Sequence, residues 1–250
     1  MNIIEVSGLG KRYGRKWALR DCTVAVPQGH VTGLVGPNGA GKTTLLSMAV
    51  GLVAPTAGTV TVAGEAAGSP AARDRIAFVA QDAPLYGNLP VRDMLRVARN
   101  LNRRWDNERA VARLAGLGIS LKSRVGTLSG GQQAQLALTI ALARRPGVLV
   151  LDEPLAALDP LARHDFMQSV LAAVAADQIS AVFSTHVVAE LEQAVDYLVV
   201  LGQGEVLLTG RVADLTAASG GASLEKIVLT RLREHQAGRE RVAARAGGTA

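Results

Sequence analysis

One short stretch limits the fold of this chain more than any other. Gly36-Pro37-Asn38-Gly39-Ala40-Gly41-Lys42-Thr43 matches the phosphate-loop pattern G-x-x-x-x-G-K-[ST]. Val31 to Val35 leads into it as a strand, and Lys42-Thr43-Thr44-Leu45-Leu46-Ser47-Met48 leaves it as a helix. Strand, loop and helix in that order are the setting the motif requires, which disfavours an ordinary glycine-rich turn. Glycines let the backbone N–H groups of residues 39 to 44 turn inward at a helix N-terminus, whose partial positive charge favours an anion. Lys42 is then expected to bridge β- and γ-phosphate oxygens, and the Thr43 hydroxyl to ligate Mg²⁺.

Composition narrows the class around that motif. At 250 residues, with 48% hydrophobic and 19% charged residues, the chain can bury a core and is not broadly disordered. Cys22 is the only cysteine, so an intrachain disulfide, a cysteine zinc cluster and a CxxC redox pair are excluded, and four scattered His disfavour a histidine metal site. Met1-Asn2-Ile3-Ile4-Glu5 does not read as a signal peptide, and the protein is expected to stay in the cytoplasm. Leu45 to Val53 is too short to cross a bilayer, so any membrane role is expected to run through a partner. The formal charge of +6 suits an anionic partner and equally an arginine-rich composition, and decides nothing alone.

Hydropathy patterning gives the order of elements. Ile3 to Val6, Ala18 to Val26, Thr59 to Val62 and Ile76 to Val79 read as strands. Apolar positions at i, i+3, i+4 spacing over Val91, Met94, Leu95, Val97 and Ala98, and again from Val111 to Leu117, predict a helical insertion over about residues 90 to 145. Val148 to Leu151 and Ala181 to Ser184 are uninterrupted apolar runs, as in parallel strands buried on both faces. Tyr197 to Leu201 and Glu205 to Leu208 read as a hairpin, and Ser223 to Glu234 as a further helix. Residues 236–250, poor in large apolar side chains, are expected to form a flexible tail.

Two further segments carry chemistry. Val148 to Leu151 delivers Asp152-Glu153, one carboxylate for a metal and one for a water. Leu128-Ser129-Gly130-Gly131-Gln132 opens an apolar helix about twenty residues earlier. The order of phosphate loop, Gln81, LSGGQ, Asp152-Glu153, Asp159 and His186 resembles the ATP-binding cassette family over about residues 2 to 235. The resemblance implies an α/β fold: a P-loop NTPase, RecA-like core with an N-terminal antiparallel β-subdomain and an inserted α-helical subdomain, in one nucleotide-binding domain over residues 1–235.

The family's residues carry over position by position. Tyr13 stands where an aromatic stacks on adenine, with a strand-edge tyrosine as the other reading. Gly36, Asn38, Gly39, Ala40, Gly41, Lys42, Thr43 and Thr44 would hold the phosphates of ATP. Thr43, Gln81 and Asp152 would hold Mg²⁺. Glu153 is the implied general base, oriented by His186, with Gln81 linking the site to the helical subdomain. Ser129, Gly130, Gly131 and Gln132 would act on the γ-phosphate held by a second, head-to-tail cassette. Asp159 resembles the loop that crosses between the two sites, or is a helix cap.

Two positions depart from the family pattern. Gln133-Ala134-Gln135 replaces a usual basic residue after the LSGGQ segment, and Pro90 stands where a helix-capping Thr is common, which predicts a shifted cap. The resemblance further implies an ATP-hydrolysing subunit of a drug- or lipid-type exporter, peripheral on the cytoplasmic face of the membrane and driving a separate permease, with no nucleic-acid partner. Ala83-Pro84-Leu85-Tyr86 would be an apolar contact to that partner, or ordinary packing. A soluble cassette in cofactor assembly or nucleic-acid work is the alternative, and a P-loop kinase a third.

Overall fold

The computed structural model describes residues 1–81, 84–192 and 194–247, with side chains described to Arg241. The fold comprises two sheets, which both contact the phosphate loop, and a helical subdomain. The smaller sheet is antiparallel, in the order β2 (Lys16–Pro27), β1 (Asn2–Tyr13), β4 (Ala57–Val62), β5 (Glu65–Ala66). The larger has the order β10 (Glu205–Arg211), β9 (Tyr197–Gly202), β3 (Val31–Val35), β8 (Ser180–Thr185), β7 (Val148–Asp152), β6 (Ile76–Val79). All its neighbouring strands pair parallel except the β9–β10 hairpin.

Alternate residues of the parallel strands belong to different cores, which explains their unbroken apolar runs. Val148 and Val150 pack with α1 (Lys42–Ala49) and the antiparallel sheet, in a cluster with Leu34, Leu46 and Met48. Leu149 and Leu151 pack on the other face, against α5 (Gly130–Ala143) and α6 (Pro160–Asp177), in a cluster with Leu142 and Phe166. Helix α1 thus lies between the two sheets, so its N-terminus is fixed from both sides.

The remaining helices are α2 (Pro70–Arg75), α3 (Val91–Leu101), α4 (Asn107–Gly116), α7 (Val212–Ala218) and α8 (Leu224–Gly247). Helices α3 and α4 pack with α5 around Val91, Leu95, Leu114 and Leu136, within the expected insertion. Helix α5 is apolar on both sides because Leu136 and Ala143 face this cluster while Leu138 and Leu142 face the sheet. Pro90 is itself the N-cap of α3 and offers no side-chain cap, so the helix survives with the first residue at Val91. Pro84 and Tyr86 are exposed and Leu85 packs against two clusters, while Ala83 of that segment lies outside the described residues.

The C-terminal segment, expected as a tail, continues the last helix. Helix α8 runs on from Leu224 through Gly247, and residues 248–250 lie outside the described residues. Ala, Arg, Glu and Gln hold a helix by intrinsic propensity without a buried face, and Gln236 donating to Glu240 at 3.2 Å adds an i, i+4 contact. Among the described residues no helix is long and apolar enough to cross a membrane.

Ion pairs fasten the helical subdomain to the core. Asp106 caps α4 by accepting from the Arg109 N–H at 3.0 Å, and its other oxygen accepts from Arg145 Nε at 3.0 Å. Arg109 in turn grips Asp177 at the end of α6 through both guanidinium nitrogens. The Arg109 N–H first, and then Arg145, hold the Asp106 carboxyl below its ordinary pKa.

Two outcomes follow from this packing. Leu136→Ala is expected to cost about 2 to 5 kcal/mol in denaturant-induced unfolding, because it opens a cavity among α3, α4 and α5. A carboxyl with a depressed folded pKa contributes stability above its unfolded pKa and loses it as pH falls through the folded value. Asp106→Asn is therefore expected to lower the melting temperature at neutral pH and to shrink the wild-type loss of stability below about pH 4, read from melting curves across pH.

Candidate functional site

The strands of a doubly covered sheet can expose polar groups only at their ends, and the C-terminal ends of β3, β7 and β8 meet at one place. Strand β3 runs into the phosphate loop there. A Cβ on Gly36 would lie 2.2 Å from the Leu201 carbonyl oxygen, so the loop passes against β9 only because residue 36 is glycine. Gly41, the N-cap of α1, has φ +105° and supplies no side-chain cap. A Cβ there would meet Leu19 Cδ2 at 2.6 Å and the Ala18 oxygen at 2.8 Å. The first N–H groups of α1 lack intrahelical partners and end in a cleft, a geometry suited to an anion.

That cleft, of about 540 Å³, is lined by Tyr13, Asn38 to Thr44, Gln81 and Glu153, and by Lys16, Trp17 and Ala18 from the start of β2. Gly36 stands behind the lining, buried. Tyr13 is half exposed at the mouth, with the Lys11 ammonium 5.2 Å from its ring centroid. Trp17 is flanked by the guanidinium groups of Arg12 and Arg20 at 5.7 and 5.8 Å. Lys16 and Trp17 join the site without belonging to any motif, and a second aromatic so close to Tyr13 is the one signal that the sequence offers for them.

Lys42 is buried with its ammonium accounted for. Nζ donates to the Gly36 oxygen at 2.8 Å and the Pro37 oxygen at 3.3 Å, and stands 3.2 Å from Glu153 Oε1. The other oxygen of Glu153, Oε2, lies 3.2 Å from His186 Nδ1. One carboxylate therefore joins the phosphate loop to the turn after β8. Glu153 has φ +46°, a left-handed conformation unusual for a residue with a side chain. Asp152 is buried behind it, accepting from Ser184 Oγ at 2.5 Å, and the same Oγ accepts from the Glu153 N–H at 2.9 Å. Ser184 likewise belongs to no motif, its signal being a hydroxyl closing an otherwise apolar strand.

The residues fit a triphosphate and a divalent cation by the chemistry of their donors. The helix start and Lys42 offer positive charge, and the Thr43 hydroxyl and Gln81 side chain in the lining offer oxygen ligands of the kind Mg²⁺ prefers, with the Asp152 carboxylate buried behind the lining.

Ser129, Gly130, Gly131, Gln132 and Asp159 do not line this cleft. Ser129 caps α5: its Oγ accepts from the Gln132 N–H at 3.2 Å, and Gln132 Oε1 accepts from the Ser129 N–H at 3.1 Å. Asp159 caps α6 by accepting from the Ala162 N–H at 2.9 Å. The two helix starts adjoin, for a Cβ on Gly131 would stand 3.0 Å from Ala162 Cβ. They form a second exposed polar surface on the same chain.

The departure after Gln132 has a structural counterpart. Gln135 is buried, its Oε1 accepts from Arg113 Nη2 at 2.8 Å, and its Nε2 donates to Ser169 Oγ at 3.0 Å. Burial, and then the neighbouring charge of Arg109, hold the Arg113 guanidinium below its ordinary pKa. A positive charge thus reaches α5 from α4 rather than from α5 itself.

Comparison with known proteins places these features in a family. A family model described as ABC transporter matches residues 19–156, more than half of the chain. The chain is 37% identical over 231 residues to the Nod factor export ATP-binding protein I of Burkholderia orbicola, covering 90% of this chain and 76% of that protein. It is 39% identical over 230 residues to the phosphonates import ATP-binding protein PhnC 1 of Natronomonas pharaonis, covering 85% of this chain and 95% of that one. Among solved structures, an ATP-binding subunit of an ABC transporter superposes with a TM-score of 0.80 at 27% identity, over 92% of this chain and 99% of that one.

Gly36→Ala is expected to abolish phosphate-loop geometry, since no flexible group can yield to its Cβ. Binding of a fluorescent nucleotide should be lost while far-ultraviolet circular dichroism keeps its helical signal.

Proposed function

This chain belongs to the ABC transporter ATP-binding family, and from that premise we propose that it binds and hydrolyses ATP as the motor subunit of a membrane transporter. The observation that carries the reading is the convergence of Lys42 and His186 on the two oxygens of Glu153, at the uncapped start of α1. In-line attack on a γ-phosphate needs a cation on the phosphates and a carboxylate on the attacking water. Lys42 supplies the first and Glu153 the second, with His186 holding the carboxylate in place. Thr43, Gln81 and Asp152 would hold Mg²⁺, which neutralises phosphate charge when bound. Tyr13 and Trp17 offer aromatic faces for the base.

The separate surface built by Ser129 to Gln132 and Asp159 supports pairing. It presents a helix start bearing two glycines, a further anion-binding geometry, away from the cleft of its own chain. Two copies arranged head to tail would place each such surface over the partner's cleft, so ATP would join the subunits. Closure then follows as a population shift toward the state that binds ATP better.

Work at the cytoplasmic face of a membrane, through a separate permease, follows from the transporter reading. Export is the finer reading. A Nod factor export protein among the relatives supports it, and a phosphonates import protein of similar identity weighs against it. Recovery of a polytopic membrane protein with the tagged chain supports the transporter reading, and recovery of soluble partners alone would overturn it.

The ATPase reading has its own test. Glu153→Gln is expected to keep ATP binding, to lose turnover by about 10² to 10⁴-fold, and to accumulate as an ATP-dependent dimer in size-exclusion chromatography with light scattering. A variant that hydrolyses ATP at the wild-type rate would remove Glu153 from the role of base. Lys42→Ala is expected to weaken ATP binding by about ten- to a hundredfold, the worth of a charged hydrogen bond. Chelation of Mg²⁺ is expected to stop turnover.

A further inference from the structure

Arg163 stands four residues beyond Asp159, one helical turn into α6, and its side chain folds back. Nε donates to the Leu158 oxygen at 2.8 Å, which fixes the backbone immediately before Asp159. Nη1 donates to Glu190 Oε1 at 2.9 Å. The second oxygen of Glu190 accepts from Thr185 Oγ1 at 3.3 Å, and Thr185 Oγ1 accepts from the Val187 N–H at 3.0 Å. His186 lies between those two residues, inside the turn they close. From Asp159 to Glu153, every link is therefore a hydrogen bond or a peptide bond.

The two segments also share apolar packing, with Leu155 and Leu158 in one cluster with Val188 and Leu191, and the Arg163–Glu190 pair adds a polar tie to it. Between the two segments lies a cavity of about 90 Å³, lined by Pro154, Leu155, Arg163, His186 and Glu190 among others. Among the described residues, no backbone hydrogen bond joins residues 154–159 to residues 185–191. The guanidinium is a planar fork that holds two acceptors at once in a fixed relation, which a flexible ammonium cannot do.

We propose that Arg163 and Glu190 are positioning residues that couple the Asp159 loop to His186. A displacement of that loop reaches the imidazole through the guanidinium, the Glu190 carboxylate and the Thr185 turn. The site thereby reports the state of its exposed second surface to its own carboxylate. The proposal rests on the ATPase reading above, and deepens it by naming how the two surfaces of one chain communicate.

The experiment compares the full-length wild type with Arg163→Ala, Arg163→Lys, Glu190→Gln, Glu190→Ala and the double variant Arg163→Ala/Glu190→Ala. Arg163→Ala is expected to lower kcat by about 10- to 100-fold while affinity for a fluorescent ATP analogue stays within about twofold. Without nucleotide, the His186 Cε1–H resonance should shift or broaden in the same variant. Glu190→Gln keeps an acceptor for Arg163 and should recover most of the activity that Glu190→Ala loses. The double variant should be no worse than the poorer single one. Arg163→Lys keeps the charge without the rigid fork and should fall between wild type and Arg163→Ala, which keeps the test open if the alanine variant does not fold. Wild-type kcat with an unmoved imidazole resonance in Arg163→Ala, or fully additive losses, would overturn the coupling. If the wild type hydrolyses no ATP, the ATPase reading falls, and the imidazole response still decides the coupling.

Discussion

Coverage of the parallel sheet on both faces is the constraint from which the rest follows. Strands β3, β7 and β8 bury every residue along their length, so a charged group is admitted only where a strand ends, as at Asp152. Gly36, the Asp152-Glu153 pair and His186 lie at those ends, and parallel pairing brings the ends together. The site is thus a consequence of sheet topology before any side-chain chemistry is considered. The same arrangement holds α1 between two sheets, so the orientation of its N-terminus is set by Leu45, Leu46 and Met48 rather than by the loop.

The division of polar residues into two surfaces has an equally local origin. Ser129 and Asp159 are both N-caps, and each satisfies its own helix before it can serve anything else. Such residues are rigid, with side-chain oxygens committed to backbone donors. Between the connections that follow β7 and β8, Arg163 and Glu190 supply a polar tie. In the helical subdomain Arg113, reaching α5 from α4, plays a comparable part between elements that are distant in sequence.

Much of this was legible in the residues. The phosphate loop announced a strand and a helix by its spacing, and the buried runs from Val148 and Ala181 announced parallel strands because both faces had to be apolar. Helix α6 was less visible: Asp159-Pro160 marks its start, yet Leu161 is exposed while Phe166 and Val170 are buried, so no clean stripe shows. The extent of α8 is not legible because a segment rich in Ala, Arg and Gly reads equally as a helix and as a solvated tail. Lys16, and the contact of Arg163 with Glu190, carry no spacing signal, because their meeting depends on strand order.

The backbone of Glu153 has a consequence of a different kind. A left-handed conformation is one that a residue with a Cβ resists by about 1 to 2 kcal/mol, and glycine would occupy it without strain. The chain nevertheless carries a glutamate at the corner where β7 turns into the loop. At this corner, optimum stability and retention of a carboxylate are opposed, and the sequence has settled on the carboxylate. A glycine there would give a calmer backbone and leave Lys42 and His186 without a shared partner, so selection for robustness alone would erase the residue on which both converge.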